Sequence, residues 1–119
     1  MLIQATTIGR RYHKGALKRM TGIDMKTARI FKSRNDGVSP FLDVEEAVGS
    51  MLVALEMAIV IDEITQEPKK LTRTQEVKIN KTAVGEIETG GHRFHGRARR
   101  IQATLVESAK NQGKEKEGK

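Results

Sequence analysis

The chain has 119 residues, is 37% hydrophobic, contains no cysteine and carries a formal net charge of +7. A chain of this length is expected to form one small domain, which we place at residues 1–110. The lack of cysteine excludes disulfide bonds, thiolate zinc sites and cysteine nucleophiles. Only 3% of the residues are aromatic, which argues against binding single-stranded nucleic acid through rows of stacked bases.

The charges fall into three blocks. Residues 1–36 carry nine Lys and Arg against two acidic residues, residues 37–68 carry seven acidic residues and no basic one, and residues 69–119 carry thirteen basic residues against six Glu. Basic surfaces of this density attract polyanions, of which nucleic acid is the commonest. The pattern predicts two basic surfaces joined by an element with another role.

The sequence shows no signal region and no spanning helix. Its longest apolar stretch, residues 47–61, is interrupted by Gly49, Ser50 and Glu56, and it falls short of the length needed to cross a bilayer. We therefore predict a cytoplasmic protein with no membrane partner, or a virion component if the protein serves assembly.

The N-terminal block predicts a pair of helices. Residues 1–8 are compatible with a short strand or an extended arm, and residues 10–20 place apolar side chains at helical spacing. Gly22 can end that helix in the left-handed conformation. Asp24 can then cap a second helix over residues 25–33.

Residues 14–34 resemble a helix-turn-helix DNA-binding motif, in which a glycine-containing turn joins two short helices. Gly22 supplies the turn, and Ile23, Ala28 and Phe31 supply apolar contacts at the intervals of that motif. The resemblance implies that the second helix presents polar residues to bases and phosphates, namely Lys26, Thr27, Arg29, Lys32 and Arg34. The alternative interpretation is a structural helical hairpin with a solvated basic face.

The central block predicts one long buried helix over residues 44–66. Asp43 and Glu46 have the spacing of a capping box, and Pro68 ends the segment. Its polar stripe is narrow, so its apolar surface exceeds what one small domain covers. We therefore predict a homo-oligomer whose interface includes Leu52, Leu55, Ala58 and Ile59.

The C-terminal block predicts an antiparallel β-hairpin or small sheet. Residues 71–80 and 83–88 alternate in polarity, and Gly90 and Gly91 mark a reversal before a third strand at residues 92–95. Residues 97–110 fit either helix or strand, and we favour strand. The predicted fold is therefore α+β, with a helical pair, a long central helix and this hairpin, followed by a disordered tail at residues 111–119.

The region after Gly91 is rich in arginine, which bonds phosphate through its planar fork. We predict phosphate contacts from four side chains, Arg93, Arg97, Arg99 and Arg100. The alternative is a charged strand edge that prevents aggregation. His92 and His95 on one strand face opposite ways, so we predict no metal site and no cofactor.

Three classes of function fit the sequence. The first is a small oligomeric regulator of the phage or plasmid type that binds duplex DNA and has no enzymatic activity. The second is an assembly protein, such as a phage head–tail component, whose acidic block meets a basic block of the next subunit. The third is a small enzyme of the hot-dog type, although the sequence offers no catalytic pocket residue and too little strand for that sheet.

Overall fold

In the structure, a computed structural model, the backbone is described for residues 1–117 and the side chains for residues 1–111. These residues form an α+β fold of six helices and three strands. In chain order the elements are β1 (Leu2–Ala5), α1 (Thr7–Arg11), α2 (Lys14–Thr21), α3 (Met25–Lys32), β2 (Phe41–Asp43), α4 (Glu46–Ala54), β3 (Ala58–Val60), α5 (Arg73–Thr89) and α6 (Gly96–Glu117).

The first strand lies at the centre of the sheet, because β1 pairs with β2 on one side and with β3 on the other, both antiparallel. Ile3 is opposite Leu42 in β2 and Val60 in β3. Its side chain is fully buried beneath the sheet. The sheet therefore joins segments that are about forty and sixty residues apart in the sequence.

The core lies between the sheet, the N-terminal helices and α4, with α5 packed along α4. Its largest fully buried side chains come from β1, α2, α3, α4 and the turn that follows α4, and include Ile3, Leu17, Met20, Phe31, Met51, Leu52, Leu55 and Met57. The three helices α1–α3 are thereby fixed on one side of the sheet.

The predicted long central helix is wrong. The helix α4 ends at Ala54, and Glu56 takes a left-handed conformation with φ of 63° that turns the chain into β3. The Met57 carbonyl then accepts a hydrogen bond from the Thr6 backbone at 3.0 Å, and β3 pairs with β1. Pairing with a strand from the start of the chain outweighs the local helical pattern.

The predicted capping box of that helix is wrong as well. Asp43 belongs to β2, and its carboxylate accepts a hydrogen bond from the Met1 amino group at 3.1 Å. Glu45 is the N-cap residue of α4, and its side chain makes no capping hydrogen bond.

The predicted C-terminal β-hairpin is also wrong, because residues 73–89 form the helix α5. Thr72 and Gln75 form a capping box, with side-chain hydrogen bonds of 3.2 and 2.9 Å to each other's backbone N–H. Ile79 and Ala83 are buried one turn apart, so the helical period decides the conformation rather than the short polar alternation.

The third predicted strand is a loop, and the strand favoured at residues 97–110 is the helix α6. Ala98 is fully buried, and Ile101 and Leu105 pack against the core at helical spacing. The backbone of the predicted disordered tail continues α6 as far as Glu117, while residues 118–119 lie outside the described residues.

Candidate nucleic-acid interface

The helices α2 and α3 are joined by a tight turn at Gly22. This glycine has φ of 80°, a left-handed conformation that costs glycine little, and its N–H donates to the Lys18 carbonyl at 2.9 Å. The Asp24 carboxylate accepts a hydrogen bond of 2.8 Å from the Thr27 N–H and so caps α3. The turn and the cap lie where the sequence predicts them.

The apolar residues that the resemblance places between α2 and α3 are buried. Leu17, Ile23, Ala28 and Phe31 are each at most 2% exposed. Thr21 is also buried, and its hydroxyl donates to the Leu17 carbonyl at 2.7 Å, which satisfies a group that would otherwise be unpaired. The two helices thus form a fixed unit with one face of α3 left uncovered.

The uncovered face of α3 is basic and partly apolar. Lys26 and Arg29 are exposed three residues apart, and Met25 and Ile30 beside them are 41% and 43% exposed. The helix contains no acidic residue. Arginine and lysine bond guanine edges in the major groove, and apolar side chains contact the thymine methyl group. The composition of this face therefore matches that of a recognition helix.

The other predicted site residues near α3 differ in their surroundings. The Thr27 hydroxyl donates to the Asp24 carboxylate at 2.6 Å, so it belongs to the cap instead of the exposed face. Lys32 is half-buried at the end of α3. Arg34 is exposed just before a tight turn in which Asp36 and Gly37 both have positive φ. Of these three side chains, only that of Arg34 is exposed.

The cap of α3 makes stability depend on pH. Hydrogen bonds from the Thr27 side chain and backbone lower the pKa of Asp24 below its ordinary value of 3.8. The charged carboxylate therefore stabilises the fold at pH values above about 3.8. This contribution is lost as the pH falls through the lower pKa that Asp24 has in the folded state. We expect Asp24→Ala to lower the Tm by a few degrees near neutral pH, and by progressively less toward about pH 3.

Thermal unfolding followed by circular dichroism measures this effect. Glu107→Ala is the control, because Glu107 is exposed on α6 and caps no helix. A Tm difference for Asp24→Ala that stays constant from neutral pH to about pH 3 would contradict the role of the charged carboxylate.

The loop between α5 and α6 lies against α2 and the turn at Gly22. The Arg93 N–H donates to the Arg19 carbonyl at the end of α2 at 3.1 Å. The ring of the neighbouring His92 lies against the turn, since a Cβ on Gly22 would be 3.4 Å from its Cε1 atom. Arg93 and Arg19 are both exposed and extend the basic surface beyond α3.

The remaining predicted arginines are on α6. Arg97 donates to the Glu56 carboxylate at 2.9 Å, so this residue is engaged in an ion pair with the turn that follows α4. Arg99 and Arg100 are exposed. The Ala98 N–H donates to the Tyr12 hydroxyl at 3.2 Å, and this bond fixes the start of α6 against the N-terminal helices. The four arginines therefore do not form one continuous cluster with equal roles.

The residues predicted for an oligomer interface are mostly in the core. Leu52, Leu55 and Ala58 are at most 3% exposed within a single chain, whereas Ile59 is 36% exposed. The apolar run that suggested surplus surface is covered by β1, α5 and the N-terminal helices. The first three residues are therefore corrected from interface to core, and oligomerisation stays a prediction that no longer rests on them.

The described residues contain neither a metal-binding cluster nor a membrane-spanning helix. No group of three His, Asp or Glu side chains within them is arranged to hold a metal ion. None of the helices they form is long and apolar enough to cross a membrane.

Comparison with known proteins identifies no relative of this chain. No protein-family model matches it, and neither a curated protein nor a solved structure does.

Proposed function

We propose that this protein binds duplex DNA through its helix-turn-helix, with α3 as the recognition helix. The observation that carries the proposal is the division of α3 into two faces. Ala28 and Phe31 are buried against the rest of the fold, and Lys26 and Arg29 are exposed on the other side. This division is the one that a helix entering the major groove requires.

The residues around α3 suggest a division of labour. Lys26 and Arg29 would contact base edges and phosphates, while Met25 and Ile30 would contact thymine methyl groups. Arg19 and Arg93, which the backbone hydrogen bond holds together, would contact phosphates at the side of the groove.

The hot-dog interpretation is weaker than the sequence suggested. That fold needs a long helix wrapped by an extended sheet, whereas α4 has nine residues and β2 and β3 have three each. We therefore do not propose an enzyme of the hot-dog type.

The salt dependence of binding tests the proposal. We expect the logarithm of the affinity for duplex DNA to fall linearly with the logarithm of the salt concentration, with a slope of about 0.9 per phosphate contacted. The double variant Arg19→Ala/Arg93→Ala should lower that slope by about two phosphate units. Fluorescence anisotropy with a labelled duplex, from about 50 to about 200 mM salt, measures both effects.

Lys69→Ala/Lys70→Ala is the matched control. It removes the same charge from an exposed segment that precedes α5 and lies beside β3, where the Lys69 N–H donates to the Val60 carbonyl at 2.9 Å, so the slope should stay unchanged. Absence of duplex binding in about 50 mM salt would contradict the proposal. Equal effects of the two double variants would show that net charge, and not this surface, governs binding.

A further inference from the structure

The loop between β3 and α5 holds an isoleucine almost completely in solvent. Ile64 is 93% exposed, more than any other large hydrophobic residue of the described chain. The loop is held in place from within, because one Asp62 carboxylate oxygen accepts from the N–H groups of Ile64 at 2.8 Å and Thr65 at 3.0 Å. The Asp62 N–H also donates to the Glu67 carbonyl at 2.9 Å. An ordered loop therefore presents an apolar side chain to solvent.

The groove between α5 and α6 has the size and chemistry to receive such a side chain. It is an open cavity of about 150 Å³ lined by four apolar residues, Val77, Val84, Leu105 and Ala109, and by four polar residues, among them Lys81 and Ser108. A volume of about 150 Å³ is large enough for a group of the size of benzene. The groove therefore exposes apolar surface and has room for one aliphatic side chain.

The charges around the two features are complementary. Glu63 and Glu67 flank Ile64, and both are exposed. Arg73 and Lys81 are exposed on α5, each four residues from Val77 and therefore on the face that lines the groove. The loop is thus negatively charged, and the rim of the groove is positively charged.

The two features lie on different parts of the circumference of α5. Ile64 shares a cleft with Gln75 and Lys78, whereas Val77 and Lys81 line the groove. At 3.6 residues per turn these two pairs point about 110° apart around the helix. Ile64 does not line the groove of its own chain and is 93% exposed, so both features remain available to another copy.

We propose that the Ile64 loop of one copy inserts into the α5–α6 groove of the next copy. The contact joins two different surfaces, and in a head-to-tail arrangement it builds a ring or an open filament. It is independent of the proposed DNA binding, because it uses no residue of the helix-turn-helix.

Disulfide trapping tests this contact, since the chain contains no cysteine of its own. We expect Ile64→Cys and Ser108→Cys to form a covalent dimer when the two proteins are mixed and oxidised, and little or none when either is oxidised alone. Val38→Cys mixed with Ser108→Cys is the matched control, because Val38 is also a highly exposed apolar residue but lies in the turn after α3. The control mixture should give background cross-linking only.

Two further measurements keep the proposal falsifiable. We expect the unaltered chain to associate in sedimentation velocity as concentration rises, and Ile64→Asp to stay monomeric with the same Tm, since the side chain is exposed. A dimer formed by Ile64→Cys alone would overturn the head-to-tail contact in favour of a two-fold one. Monomeric behaviour of the unaltered chain at its solubility limit would overturn the proposal altogether. Neither outcome affects the proposal of DNA binding, which is tested separately by the slope of the logarithm of the affinity against the logarithm of the salt concentration.

Discussion

Arg29→Ala is expected to weaken binding to the preferred duplex by about 5- to 150-fold, while binding to unrelated duplexes changes little. Arg29 is exposed in the middle of α3, so its fork can reach a guanine edge. One bidentate base contact contributes about 1–3 kcal/mol of discrimination, which corresponds to that range. Alanine favours helix, so the change leaves α3 itself intact.

The measurement has two stages because the target sequence has to be found first. Selection from a random duplex library gives the preferred site, and anisotropy titrations at one salt concentration then compare that site with an unrelated duplex. The ratio of the two affinities isolates base recognition from phosphate attraction.

Arg99→Ala is the control for charge. Arg99 is exposed on α6 and is expected to act on the phosphate backbone, so its removal should weaken binding to every sequence about equally. Equal effects of Arg29→Ala and Arg99→Ala on all duplexes would contradict the assignment of α3 as a recognition helix, even for a protein that binds DNA.

The helical pair was predictable because its determinants are local. A glycine that ends one helix and an aspartate that caps the next are four residues or fewer from the groups they satisfy. Gly22 and Asp24 therefore specify the turn between α2 and α3 without help from distant parts of the chain. The apolar spacing of Ala28 and Phe31 then fixes which face of α3 is buried.

The central segment was not predictable from its own pattern. A continuous apolar run is compatible with a helix and with a buried strand, and periodicity alone does not separate them. The choice at residues 58–60 is made by β1, whose Ile3 pairs with Val60 across fifty-seven positions of sequence. Together with α5 and the N-terminal helices, β1 also buries most of the surface that had suggested an oligomer.

The C-terminal helices were missed for a different reason. The spacing of Thr72 and Gln75 indicates a capping box and therefore a helix, but the alternation of polar and apolar residues after it favoured a strand. At the candidate interface, Met25 and Ile30 were also missed, although both lie opposite the buried positions of α3 and their exposure follows from the helical period. The exposure of Ile64 has no local signal, since it depends on the loop standing away from the core.

Gly9→Ala is expected to destabilise the protein by about 3 kcal/mol or to prevent folding, because α1 lies directly against the backbone of the turn that precedes β3. Gly9 is buried, and a Cβ added there would overlap the Met57 carbonyl oxygen. That carbonyl accepts from the Thr6 N–H at 3.0 Å, and the adjoining Ala58 is paired with Ala5. Neither α1 nor the turn that precedes β3 can move away without breaking the pairing between β1 and β3.

Gly85→Ala is the matched control and is expected to have the opposite sign. Gly85 lies within α5, and a Cβ there would meet no atom within 4 Å. Replacing an exposed glycine inside a helix by alanine removes an entropic cost of about 0.5–1 kcal/mol, so the free energy of unfolding should rise by that amount. Both glycines are helical, so the same intrinsic gain applies to each, and the difference measured by urea unfolding isolates the contact with Met57. Stabilisation by both substitutions would show that α1 does not lie against this turn, and the placement of α1 on the sheet would have to be revised with it.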